Sequence, residues 1–195
     1  MSSSIIRSYF IVEGYSNLPF LEKVLFLITH KNIHLERDGN KSIRIGEMST
    51  NDFTKIASSI ETIAHDLDLE HLELVVVPFY DSKLINSVKK TKTGVYFLYD
   101  LLLENYNKRE LDVNTVTSIL KDVPSEILET VKNYIRLNQS LSQTGELMFA
   151  HRNTINYRIN RFISLTSINV REMQNAVLVY FIITLMELKK ANNNV

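Results

Sequence analysis

From Pro124 onward the sequence carries apolar residues at helical spacing with no strand signal, and this run limits the fold more than any other feature. Ile127, Leu128, Val131, Tyr134 and Ile135 trace one amphipathic helix, which Asn138-Gln139-Ser140 interrupts. Two short helices are predicted next, over 141–149 and 152–163, joined across Phe149-Ala150-His151. A long helix over 169–190 follows, and Asn192-Asn193-Asn194 reads as a disordered tail. Asp122-Val123-Pro124 marks the predicted boundary, giving domains 1–122 and 123–195.

The helix over 152–163 has two unlike faces. Ile155, Ile159 and Phe162 fall at i, i+4 and i+7 and define one buried stripe. The opposite face then holds Asn153, Asn156, Tyr157, Asn160 and Arg161, with Arg152 and Arg158 on its flanks and no acidic residue in the segment. Arginine pairs bidentately with guanine and asparagine with adenine, while hydroxyls and arginines hold phosphates, so this composition suits a DNA groove. A solvated amphipathic helix would have the same spacing and charge. In the preceding helix, Gly145 costs about 1 kcal/mol unless a close helix crossing needs the space. Leu141, Thr144 and Met148 complete that helix's inner face.

These residues also carry a resemblance. The segment 127–184 resembles the C-terminal helix-turn-helix domain (Fis-like) of the PucR and CdaR family of bacterial regulators. The likeness runs through Leu128-Glu129-Thr130, Tyr134, Leu141-Ser142-Gln143-Thr144 and Leu147. It is densest in Phe149-Ala150-His151-Arg152-Asn153-Thr154-Ile155 with Tyr157-Arg158-Ile159. It implies DNA binding through the second helix, with Arg152, Asn153, Thr154, Tyr157, Arg158 and Arg161 as candidates, to which the helical face adds Asn156 and Asn160. The family has alanine where Gly145 stands, and commonly Thr-Gly-Leu-Asp where this chain has Thr166-Ser167-Ile168-Asn169. His151 reads as a helix-start cap, and Tyr157 can meet either DNA or a neighbouring helix.

Before Pro124 the pattern is mixed. Residues 8–14 read as a strand, and a helix over 20–30 follows with Ser16 and Asn17 as caps and Pro19 near its first turn. Asp38-Gly39-Asn40 suits a hairpin turn before a strand over 42–48. Ser49 and Asp52 then open a helix whose stripe is Phe53, Ile56, Ile60, Ile63 and Leu67. The nearly continuous apolar run 72–79 predicts a strand in mid-sheet. Residues 81–92 are weakly helical, 95–106 are strand or helix with helix favoured, and 112–120 form a helix. The expected fold is therefore an α+β N-terminal domain followed by an all-α helix-turn-helix domain. By the same resemblance the first domain is a sensory or degenerate cyclase-like module, although no Gly-Gly-Asp-Glu-Phe motif is present.

Little else in the sequence points to chemistry. Cysteine is absent, which closes off disulfides, thiolate metal sites and cysteine nucleophiles. His30 and His34 have i, i+4 spacing but no third ligand nearby, so no metal or cofactor is expected. No nucleophile elbow, phosphate-binding glycine loop or zinc-protease motif appears, and no catalytic residue is assigned, so the chain reads as a non-enzyme. Tyr80-Asp81-Ser82-Lys83 follows the central strand, where it is either a polar turn or a ligand site.

The net charge is zero, but residues 125–195 hold eight Lys and Arg against five acids. The expected partner is double-stranded DNA. Residues 176–186 are apolar on nearly every side of the last helix, which predicts either a second copy of the chain or cover by the N-terminal domain. A homodimer is the economical choice, and the first domain is left to sense a small-molecule effector. No secretion signal is read at the N-terminus, and the stretch 177–186 is well short of the ~20 residues that cross a bilayer, so a cytoplasmic location is expected. The alternative function is a protein-interaction or ligand-sensing module that keeps the helical fold without binding DNA.

Overall fold

A computed structural model describes residues 5–12, 15–39, 41–88 and 92–192, in two compact units, Met1–Leu111 and Asp112–Val195. The first unit is α+β. Its strands are β1 (Ile5–Ile11), β2 (Leu35–Arg37), β3 (Ser42–Ser49), β4 (Glu73–Val77) and β5 (Gly94–Phe97). Interleaved helices are α1 (Leu18–Thr29), α2 (Thr50–Ser58), α3 (Ile60–Asp66), α4 (Ser82–Ser87) and α5 (Leu98–Asn107). The strands form one sheet in the order β2-β3-β1-β4-β5. β3 pairs antiparallel with both β1 and β2, so β1-α1-β2 is a split β-α-β unit with β3 inserted between its strands. β4 pairs antiparallel with β1 and parallel with β5.

Local sequence explains these elements. Every residue of β4 is buried and the strand is flanked on both sides, as its unbroken apolar run predicts. Asn17 caps α1 by accepting from the Phe20 N–H at 3.2 Å, and the helix ends where His30 turns left-handed at φ 59°. Phe10, Ile43, Ile45 and Leu74 of the sheet pack with Leu21, Leu25, Ile56, Ile60 and Ile63 of the covering helices into one core.

Three boundaries differ from the sequence reading. The stripe Phe53 to Leu67 is divided between α2 and α3, because Ser59 leaves helical geometry at φ −107° and ψ 7° while Ile56, Ile60 and Ile63 stay buried. The segment 95–106 is both strand and helix, since β5 runs straight into α5 with no capping side chain at Phe97. Strand β1 begins and ends earlier than expected; Glu13 and Gly14 lie outside the described residues.

The second unit is all helical: α6 (Val113–Ser118), α7 (Ser125–Arg136), α8 (Leu141–Leu147), α9 (Arg152–Thr166) and α10 (Met173–Asn192). Capped by Asp112, α6 buries Val116 and packs on α10, so the unit begins ahead of the expected 122/123 boundary. Pro124 simply starts α7 within the unit. Along α10, Ala176, Leu178, Val179, Ile182, Ile183 and Leu185 are buried, and Met173, Val177 and Leu188 are its exposed large apolar residues. The surplus apolar surface from which a second copy was expected is thus mostly covered within the chain. The tail expected to be disordered lies largely outside the described residues. Among the described residues, no helix is long and apolar enough to cross a membrane.

Candidate nucleic-acid interface

The second unit sets α9 on a scaffold of two helices. Between α7 and α8, Asn138 and Gln139 adopt left-handed φ of 53° and 61°, reversing the chain sharply, and Ser140 caps α8 by accepting from the Gln143 N–H. Thr144 and Gly145 face inward. Gly145 is there because the next turn folds onto it: a Cβ would stand 2.5 Å from the Ala150 carbonyl oxygen, and the Ala150 N–H donates to the Gly145 carbonyl at 2.9 Å. The close approach comes from the turn, rather than from a helix crossing as the sequence suggested.

His151 then caps α9, its Nδ1 accepting from the Asn153 N–H at 3.2 Å, in line with the capping role read from sequence. Ile155, Ile159 and Phe162 are fully buried, which fixes the rotation of the helix. Arg152, Asn153, Thr154, Tyr157, Asn160 and Arg161 are exposed; Tyr157 is 67% exposed, so it does not pack into a neighbouring helix. No acidic side chain lies on α9, and neither Arg152 nor Arg161 pairs with an acid among the described residues.

Three of the predicted residues hold the unit together as well. Arg158 forms an ion pair through Nη2 with Glu126 at the start of α7, and its Nη1 donates to Thr130 Oγ1 at 3.4 Å. It is a strut between α7 and α9. Asn156 and Asn160 both accept from Arg171 Nη2 at 2.9 Å. Sequence reasoning missed Arg171, placing it inside the helix predicted over 169–190; the structure starts α10 only at Met173 and leaves Arg171 in the turn before it. Packing explains its placement: Ile168 and Val170 beside it are buried, and Gln139 Nε2 donates to the Val170 carbonyl at 2.8 Å.

This arrangement is a short helix, a tight turn and a second helix with an open polar, cationic face. Residues 127–185 match the PucR C-terminal helix-turn-helix domain. The C-terminal domain is therefore a PucR/CdaR-type helix-turn-helix domain, related to those of transcriptional regulators. The chain is similar to uncharacterized protein YxkF of Bacillus subtilis (strain 168), at 28% identity over 103 residues, which are 53% of this chain and 35% of that protein. It is also similar to the proline-responsive transcriptional activator PutR of the same organism, at 32% identity over 102 residues, or 50% of this chain and 25% of that protein. The chain thus spans between a quarter and about a third of the length of these relatives. A crystal structure of a regulator of polyketide synthase expression from Bifidobacterium adolescentis superposes with a TM-score of 0.40 at 12% identity. That superposition covers 95% of this chain and 80% of the other.

The other sequence candidates resolve into structural parts. Tyr80 donates to the Ile45 carbonyl at 2.6 Å, stacks edge-on against Tyr9 and lies under the Arg44 guanidinium. Asp81 caps α4 by accepting from the Leu84 N–H. Burial, then the hydrogen bond to Asp38, raises the Tyr9 phenol far above its ordinary value, so it stays neutral. His30 and His34 are exposed, and no group of three His, Asp or Glu stands close enough to hold a metal among the described residues.

Proposed function

We propose that the chain is a sequence-specific DNA-binding transcription regulator that lays α9 in the major groove and works as a dimer. One observation carries this reading. The exposed face of α9 gathers Arg152, Asn153, Thr154, Tyr157 and Arg161 without an acid, on a helix whose rotation the buried stripe fixes. The likeness to PutR, a transcriptional activator, points the same way. A two-fold dimer would place two copies of α9 about one DNA turn (~34 Å) apart on a palindromic site. The first unit serves as the sensing or partner-binding module in the cytoplasm, and neither unit is assigned catalysis or a cofactor.

The test is binding of the full chain to genomic fragments across a salt series, beside a variant with Arg152 and Arg161 changed to alanine. Arg158 is left in place, because removing it would confound binding with loss of its strut. Selective binding is expected, with a salt slope that falls by about 0.9 for each phosphate contact removed. Absence of any low-salt binding by the folded protein would remove the DNA reading.

A second reading has its own observation. Phe149 is 99% exposed and Leu147 beside it 55% exposed, so the turn before α9 offers an apolar tip to another protein. Under that reading the helical fold serves protein contact, and Phe149→Ser would abolish function while changes at Arg152 and Arg161 would not.

A further inference from the structure

Arg171 lies outside both helices of the helix-turn-helix, yet it holds two side chains of the reading face. Its Nη2 stands 2.9 Å from Asn156 Oδ1 and 2.9 Å from Asn160 Oδ1. A guanidinium has donors only, and Nη2 carries two N–H groups, one for each oxygen. Chemistry alone therefore fixes which way both amides turn: oxygens toward Arg171, Nδ2 groups away from it. The clamp is itself well supported. Asn169 Oδ1 accepts from the Arg171 backbone N–H at 3.3 Å, Asn175 Nδ2 donates to the Asn169 carbonyl at 2.8 Å, and Asn169 Nδ2 donates to Glu172 Oε1 at 3.1 Å. With Ile168 and Val170 buried just ahead of it, the loop presents Arg171 from a fixed position.

We propose that Arg171 is a positioning and specificity-determining residue of the DNA interface, clamping Asn156 and Asn160 so that α9 offers amide donors to guanine rather than bidentate pairs to adenine. The inference rests on the DNA-binding reading above and deepens it. A bidentate asparagine–adenine pair needs the amide oxygen for the adenine N6 amino group and the amide nitrogen for N7. Here one lone pair of each oxygen is taken by a cation that also fixes the turn of the amide, so bringing oxygen and nitrogen together onto one adenine edge competes with the clamp. The free Nδ2 groups suit acceptors, and guanine presents two on its major-groove edge, O6 and N7. The sequence alone suggested the opposite preference for these asparagines, because it could not show a third residue holding them.

Two measurements on the full chain test this together. In the free protein, the side-chain amide resonances of Asn156 and Asn160, assigned through N156A and N160A, should shift and sharpen toward solvent-exposed values in R171A. Amides that do not respond in a folded R171A protein overturn the clamp, whatever DNA does. The second measurement selects binding sites from a random duplex library with wild type and R171A. Expected is guanine enrichment opposite the middle of α9 in wild type, a shift toward adenine in R171A, and a drop of about tenfold or more in the selected-to-random affinity ratio. An equal loss on selected and random DNA would instead make Arg171 a plain phosphate contact and overturn the proposal, as would an unchanged site preference. If wild type selects no site at all, the DNA reading itself fails, and the amide shifts alone still report whether the clamp exists.

Discussion

Arg158 of α9 is joined to Glu126 of α7 by an ion pair, so a residue expected on the DNA surface serves to hold the recognition helix to its scaffold. Glu126 is largely exposed while the Arg158 side chain is mostly covered, which leaves the pair modest in energy but well placed. Arg158→Ala should lower the stability of the second unit by about 1 kcal/mol, with the lost stem packing contributing as much as the charge. Thermal melting of R158A beside E126A checks it. A larger loss in R158A than in E126A, and a double variant that loses less than their sum, are expected; fully additive losses would show that the two residues do not interact.

Gly145→Ala sets two effects against each other. Alanine favours a helix over glycine by about 1 kcal/mol. The added Cβ, however, would meet the Ala150 carbonyl oxygen at 2.5 Å, and that atom belongs to backbone which must move. Overpacking of this kind costs about 1–3 kcal/mol, so a net loss is expected by urea denaturation. A net gain would mean that the turn gives way at no cost.

Phe149 carries backbone strain without burial to offset it. Its φ of 51° is left-handed, a region that costs an ordinary side chain about 1–2 kcal/mol, and its side chain is almost wholly in solvent. Phe149→Asn should therefore raise stability by up to about 1 kcal/mol, because asparagine tolerates this geometry. A lower melting temperature in F149N would show that the ring has a packing role in the folded protein.

Acid should weaken the first unit through Asp52. The hydrogen bond from Lys31 Nζ at 2.6 Å, then that from Ser49, holds the buried Asp52 carboxyl below the usual carboxylate range. A carboxyl whose folded value is depressed adds stability that is fully present above its unfolded value and lost as pH falls through the folded one. Melting temperatures of wild type and Asp52→Asn should therefore differ at neutral pH and converge in acid. Ser49→Ala, which removes the cap, should cost about 1 kcal/mol at neutral pH.

The legible parts of this molecule were those written in local pattern. The stripe Ile155, Ile159 and Phe162 fixed the face of α9 correctly, and the apolar run of β4 predicted a buried interior strand. Where two elements abut without a cap, as at Phe97, periodicity has nothing to mark the change, and strand and helix merge into one apolar segment. The site was partly legible for a different reason. Which residues point outward follows from helix geometry, but whether an outward residue is free depends on partners distant in sequence. Arg158 meets Glu126 and Asn156 meets Arg171 only after folding, so no spacing rule reveals either.

The bond from Gln139 to the Val170 carbonyl has a dynamic consequence. It staples the reversal before α8 to the loop after α9, enclosing both helices of the motif in one ring of contacts. Opening of either end must strain the other, so the amide hydrogens of α8 and α9 should exchange with solvent as one cooperative unit, and the reading face would be lost or kept whole.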